Sequence, residues 1–165
     1  MKKIVLLLML LGSINSFAQG ITFKGIPLGL SEKSTKTKML QKGFVYDRQT
    51  DFYLGTFASK QVKVRLETGK GIVPIIRVLY TITDDLDVAK KDLEEMRWKF
   101  WEKRDKYREY TSYLKSKYGQ YDFYYKNSKD NVVLEIYKAG GDTYVFEIRY
   151  ISHEALYYAA TEEDL

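Results

Sequence analysis

Few residues in this chain have the chemistry of a catalyst. There is one histidine, His153, which lies beside Glu154 beyond the last strand-like segment. A general base needs a nucleophile within hydrogen-bond reach, and the sequence nominates none: it has no cysteine and no Gly-x-Ser-x-Gly. A single histidine without thiols makes a zinc site only with the help of several carboxylates. Asp84-Asp85-x-Asp87 lacks the glycine and the closing glutamate of a calcium loop. Acids in that arrangement suit the start of a helix, where the dipole favours negative charge. Gly69-Lys70-Gly71 has the composition of a turn and lacks the spacing of a phosphate loop. The sequence therefore proposes no catalytic residue, no metal ligand and no cofactor.

Three other sets of residues could make a binding surface. Glu135 and Glu147 fall opposite one another if Leu134 pairs with Ile148 and Ile136 with Phe146. They would then occupy the wet face of a hairpin, where like charges need cations such as Arg149 or Lys138 beside them. One reading of that pair is a carboxylate site, with a carboxylate-dependent hydrolase as the corresponding function. The other is a solvated, charge-balanced face. The matching face earlier in the chain carries Lys63, Arg65 and Arg77, so the two faces predict patches of opposite sign suited to binding or self-association. Trp98 and Trp101 lie off the apolar stripe of a long helix. In a regular helix Trp98 is partly exposed and marks a contact site. In a helix that bends, or is covered on a second side, both are buried, and the balance falls on burial.

These residues need elements to hold them. Ile21 to Leu30 reads as an extended opening segment broken by Gly25, Pro27 and Gly29. Ser31 then caps a helix that runs to about Lys42 and stops at Gly43. Phe44–Arg48 and Phe52–Phe57 read as strands. Val62, Val64 and Leu66 alternate with charged residues, and Ile76, Val78, Tyr80 and Ile82 alternate in turn, which predicts an antiparallel hairpin around Thr68–Gly71. Asp84 to Asp87 opens a long helix whose stripe, Leu86, Leu93, Phe100, Tyr107 and Leu114 with Ala89, Met96 and Tyr110 between, extends to about Tyr118. A break near Lys103 to Lys106, where the stripe lapses, is the alternative. Tyr121–Lys126, Val132–Tyr137 and Tyr144–Tyr150 are the final strands. Between the last two, the hydrophobic pattern demands a longer or bulged turn at Ala139–Asp142, since a one-residue slip would mix core and solvent faces.

A repeat emerges from this order. Val62-Lys63-Val64 corresponds to Val132-Val133-Leu134, and Arg77-Val78-Leu79-Tyr80 to Glu147-Ile148-Arg149-Tyr150, both displaced by 70 positions. The expected fold is α+β: two helix-plus-antiparallel-sheet repeats forming one compact unit, with one long helix between the sheet halves. The first repeat spans 19–83 and the second 84–152, with a C-terminal tail over 153–165 that includes a short helix near Ala155–Ala160. Phe44–Arg48 reads as a strand particular to the first repeat.

Phe23-Lys24-Gly25-Ile26-Pro27-Leu28-Gly29, the helix end Leu40-Gln41-Lys42-Gly43-Phe44, Leu54-Gly55-Thr56-Phe57-Ala58 and Tyr113-Leu114-Lys115-Ser116-Lys117-Tyr118-Gly119 resemble small secreted proteins of Bacteroidetes. That resemblance implies no activity and transfers no functional residue. The tandem helix-plus-sheet plan also resembles the architecture of the β-lactamase inhibitor protein, a likeness of fold that does not imply inhibition. The acidic stretch Asp84 to Glu95 departs from the pattern as an insertion.

The N-terminus supplies the expected location. Lys2 and Lys3 precede the apolar run Ile4–Leu11, and Ser16-Phe17-Ala18 precedes Gln19. A basic start, a short apolar run and small residues before the cut form a signal peptide over residues 1–18, cleaved between Ala18 and Gln19. The run is far shorter than the roughly 20 residues of a membrane span. No cysteine is available for a lipid anchor, so no membrane anchor is expected after cleavage. Removing residues 1–18 leaves 147 of the 165 and lowers the net charge from +5 to +3. So weak a positive charge is no footprint of a nucleic-acid partner. Without disulfides the fold must rest on burial, for which 45% hydrophobic and 15% aromatic residues are available. The expectation is a periplasmic or secreted non-catalytic module that binds a protein or peptide partner or itself. The alternative is a glycan or small-ligand binder that uses its exposed aromatics.

Overall fold

The structure, a computed structural model, describes residues 21–103, 108–110, 122–126, 130–153 and 155. The expected signal peptide over residues 1–18, residues 111–118 of the expected long helix and nearly all of the C-terminal tail lie outside the described residues.

The opening segment folds into a small ribbon, Thr22–Phe23 (β1) against Ile26–Pro27 (β2), with Lys24 and Gly25 at positive φ between them. Helix α1 (Glu32–Gln41) follows. Its cap is Ser31, whose hydroxyl oxygen accepts from the Ser34 N–H at 3.3 Å. At the other end Gly43 takes φ +83°, the Gly43 N–H reaches the Leu40 carbonyl, and the Phe44 N–H reaches the Met39 carbonyl. That pattern is a Schellman closure, with buried Phe44 and Met39 as its hydrophobic partners.

Eight strands make one antiparallel sheet in the order β3-β4-β5-β6-β10-β9-β8-β7. They are β3 (Val45–Asp47), β4 (Phe52–Phe57), β5 (Lys60–Gly69), β6 (Ile72–Thr83), β7 (Arg108–Tyr110), β8 (Asp122–Lys126), β9 (Asn131–Gly140) and β10 (Thr143–Ile151). The β5–β6 hairpin turns at Lys70-Gly71, both at positive φ, as the twist of a two-residue hairpin requires. Helix α2 (Leu86–Trp101) lies between β6 and β7 in the chain and packs over β6, β9 and β10. Its cap is Asp85, whose carboxylate accepts from the Asp87 and Val88 N–H groups.

Both helices cover the same face of the sheet. Met39 from α1 and Ala89, Leu93, Met96 and Phe100 from α2 join one buried cluster with Val64, Ile76, Val78, Leu134, Ile136, Phe146 and Ile148. Strand alternation sends Arg77, Glu135, Glu147 and Arg149 to the opposite face.

Three expectations need correction. The long helix does not continue to Tyr118: it ends at Trp101, close to the alternative break near Lys103–Lys106, and Arg108–Tyr110 is a strand. Beyond Phe100 the run Glu102-Lys103-Arg104-Asp105-Lys106 offers nothing apolar to the sheet, so burial cannot carry the helix further. The strand β3 is also not particular to the first half, because β7 occupies the same outermost place at the other edge. Finally, Ile82 does not join Ile76, Val78 and Tyr80. Phe146 pairs with Thr81 but Glu147 pairs with Leu79, so Tyr80 is an extra residue in β6. This bulge keeps both Tyr80 and Thr81 on the helix side and turns Ile82 outward, where it is exposed.

Candidate functional site

The polar groups that sequence reasoning singled out on the last hairpin do meet, in the register expected. Glu135 stands opposite Glu147, Leu134 opposite Ile148 and Ile136 opposite Phe146, with the predicted bulge beside the turn at Gly141-Asp142. The strand next to β10 was not legible locally. It is β6, and it brings Arg77 directly opposite Arg149, two residues along β10 from Glu147.

The result is a network on the sheet face away from the helices. Arg77 grips Glu147 with two parallel hydrogen bonds, Nε to Oε1 at 2.8 Å and Nη2 to Oε2 at 2.7 Å. Its third nitrogen donates to Glu67 at 3.2 Å. The Tyr137 hydroxyl donates to Glu147 Oε2 at 3.1 Å. Arg149 donates to Glu135, and its Nε lies 3.5 Å from Glu147 Oε1 without a hydrogen bond. Two-pronged guanidinium–carboxylate bonding is the strongest arrangement such a pair can make. It holds the Arg77 guanidinium protonated well beyond its ordinary range, chiefly through the hydrogen bonds it donates to Glu147. Burial, followed by the Glu147 charge and the hydrogen bond to it, pushes the Tyr137 phenol up to about 12.

Glu147 is not on a wet face. It is fully buried, and Val133 and Val145 beside it are buried too. The patches of opposite sign are corrected on the same ground. Arg77 and Glu147 neutralise one another across the β6–β10 seam, and only Lys63 and Arg65 of the basic set remain exposed. Chemically the network is a clasp. A buried carboxylate whose two oxygens are both engaged by Arg77 and Tyr137 is placed to hold the strands together.

Trp98 and Trp101 are on the other side of the molecule. The helix is regular and both indoles are exposed, Trp98 by 63%. The buried reading is thereby corrected: positions 98 and 101 point away from the arc of Ala89, Leu93, Met96 and Phe100 that the sheet covers. The seven candidate surface residues therefore divide into three groups: Trp98 and Trp101 on α2, Lys63 and Arg65 exposed on β5, and Arg77, Glu135 and Glu147 inside the clasp. His153 is exposed, and its backbone N–H donates to Asp130 at 3.2 Å.

Two buried acids went unnoticed in the sequence. Asp92 on α2 accepts from Lys60 of β5 and from the Thr81 hydroxyl of β6. Its signal was its position, three residues after Ala89 and four before Met96, inside the buried arc. Asp130 accepts the Ile21 N–H at 2.7 Å, and no local pattern marks it. Among the described residues no three histidines, cysteines or acids converge to hold a metal. A shallow hollow of about 490 Å³ beside α1 is lined by Ser31, Lys33, Lys36 and Leu40 among others, and neither tryptophan borders it.

No family model, curated protein or solved structure matches the chain.

Proposed function

We propose that this chain is an exported, non-catalytic binding module that engages a protein or peptide partner through the exposed indoles of α2. The observation that carries the reading is Trp98, 63% exposed on a regular helix with Trp101 three residues further along the same side. Large aromatics left in water are unfavourable for a monomer, and contact residues that dominate binding are enriched in tryptophan. The acids and bases that might have done chemistry are meanwhile absorbed in the clasp and in the anchor at Asp92. Export is supported by the sequence of residues 1–18 alone, a basic start, a short apolar run and small residues before Gln19.

The same proposal includes the two-repeat architecture, with its likeness to the β-lactamase inhibitor protein. Its support is the register of the sheet. Val64 faces Val78 in the β5–β6 ladder, and Leu134 faces Ile148 in the β9–β10 ladder, each residue displaced by 70. Leu54 faces Lys63 in the β4–β5 ladder, and Tyr124 faces Val133 in the β8–β9 ladder, at the same displacement. Val78 and Ile148, equivalent by that displacement, pair with each other at the seam, where a two-fold relation between halves would put its axis.

The test is affinity capture from periplasmic extract with the full chain and with Trp98→Ala/Trp101→Ala. The expected result is a retained protein, or a self-associated species, that the double variant loses while its thermal midpoint stays within about 2 °C, as exposed substitutions do. Capture of nothing by the full chain, with no self-association, overturns the reading.

A further inference from the structure

The sheet face turned away from the helices is finished on one side and open on the other. On the β9–β10 side it is closed: Val133, Val145 and Glu147 are buried, and both arginines there, Arg77 and Arg149, have carboxylate partners. On the β3–β5 side, Val45, Leu54 and Lys63 stand directly opposite one another on three successive strands. Val45 is 67% exposed and Leu54 38%. Lys63 and Arg65 are exposed, and no hydrogen bond or ion pair engages either one among the described residues. Asp47, the acid on the outer strand, is used by its own turn, accepting from the Gln49 N–H and the Thr50 hydroxyl. Those bonds hold its carboxyl below the ordinary carboxylate range. Glu67, at the far end of β5, is held by Arg77.

The result is an apolar pair about 5 Å apart, one strand spacing, next to two cations that make no ion pair among the described residues, with the Asp47 carboxylate acting on Lys63 only from a distance. We propose that this face, Val45, Leu54, Lys63 and Arg65, docks an acidic segment of a partner protein. The partner sets an apolar side chain on Val45 and Leu54 and its carboxylates on Lys63 and Arg65. Charge complementarity selects the occupant. A second copy of the same face would set cations against cations, and a neutral apolar surface would strand both cations in the contact. The net positive charge of the chain adds attraction at longer range. This surface lies on the opposite side of the sheet from Trp98, so it is a second contact independent of the one on α2.

The experiment uses the full chain and a fluorescein-labelled peptide of alternating Glu and Val, with the same peptide carrying Lys for Glu as control. Binding is followed by fluorescence anisotropy at two salt concentrations. The expected result is binding of the acidic peptide that weakens as salt rises, no binding of the basic one, and at least a tenfold loss in Lys63→Glu/Arg65→Glu. Trp98→Ala should bind the peptide unchanged, which separates this proposal from the one resting on the indoles. Exposed charge changes leave folding intact, and a thermal midpoint for the double variant near that of the parent confirms that the loss is local. Equal binding by Lys63→Glu/Arg65→Glu, or equal binding of the basic peptide, overturns the proposal. So does at least tenfold tighter binding by a chain ending at Ala160, because the acids Glu162, Glu163 and Asp164 would then be the occupant in place of a partner.

Discussion

Arg77→Met is the sharpest test of the clasp. Methionine keeps the unbranched apolar stem of the side chain and removes the guanidinium, so Glu147 is left fully buried with the Tyr137 hydroxyl and the Arg149 guanidinium nearby. Removing one partner of a buried ion pair costs about 3–5 kcal/mol because the other charge stays buried and uncompensated. Here Arg149 has a free Nε at 3.5 Å that can turn toward Glu147. The expected loss is therefore below that range, about 2–3 kcal/mol. At roughly 2.1 cal/mol/K of unfolding entropy per residue, that is a fall in thermal midpoint of about 6–10 °C for a chain of about 147 residues, the length beyond residue 18. Glu147→Met should cost less, about 1 kcal/mol, because Arg77 keeps Glu67 and has a third of its side chain in water to relax into. The double variant buries two thioethers among Val133 and Val145. It should return to within about 1 kcal/mol of the parent, since well-packed apolar groups often replace a buried ion pair without loss. Thermal and urea unfolding of all four proteins, followed by circular dichroism, gives the cycle. A double variant as destabilised as the two singles added together would refute the account, as would a shift below about 1 °C for Arg77→Met.

Three further outcomes follow from named contacts. Gly55→Ala should destabilise by about 1–3 kcal/mol, because a Cβ there would lie 2.4 Å from the ring of buried Phe44; urea unfolding measures it, and Gly69→Ala, with open space, is a control for packing. Asp92→Ala should cost about 2–4 kcal/mol by leaving the Thr81 hydroxyl and Lys60 without their acceptor between helix and sheet, and calorimetry checks it. Tyr137 should ionise near pH 12 in the folded protein, above the ordinary value of 10. Its neutral form is the one the fold favours, so its contribution to stability is complete below pH 10 and is lost as the pH rises from there toward 12. Ultraviolet titration of the parent against Tyr137→Phe isolates that one phenol.

Much of the sheet was legible in the sequence because alternation leaves little freedom. In the last hairpin the tight two-residue turn without a bulge would set Leu134 against Glu147, and the neighbouring register that restores Leu134, Ile136, Phe146 and Ile148 to one side sets Glu135 against Glu147. The limits of β4 and the Gly43 stop of α1 were readable for equally local reasons. The missing parts are non-local. Nothing near Arg77 says that its neighbour will be a strand 70 residues away, so the opposite-sign faces were read as two patches when they form one clasp. The end of α2 was misplaced because Tyr107 and Tyr110 continue a seven-residue spacing that the charged run after Trp101 cannot support. The Tyr80 bulge depends on how β10 meets β6 and leaves no mark on β6 itself, so Ile82 was assigned to the wrong face.

The three buried acids among the described residues share a role that explains why none of them is a good catalyst. Lys60 and Asp92 are 32 positions apart, Arg77 and Glu147 are 70, and the Ile21 N–H and Asp130 are 109. Each joins segments that no helix cap or hairpin turn could bring together: α2 to the sheet, one half of the sheet to the other, and the opening ribbon to the segment leading into β9. Hydrophobic burial alone would hold these contacts but would tolerate sliding, since Val, Ile and Leu fit many neighbours. A buried carboxylate fits one partner and is costly without it. A carboxylate committed in that way has no free oxygen for substrate. The side chains left for recognition are those that the core and these anchors do not use, and the described surface offers two clear sets: the indoles on α2 and the apolar–cationic corner of β3, β4 and β5.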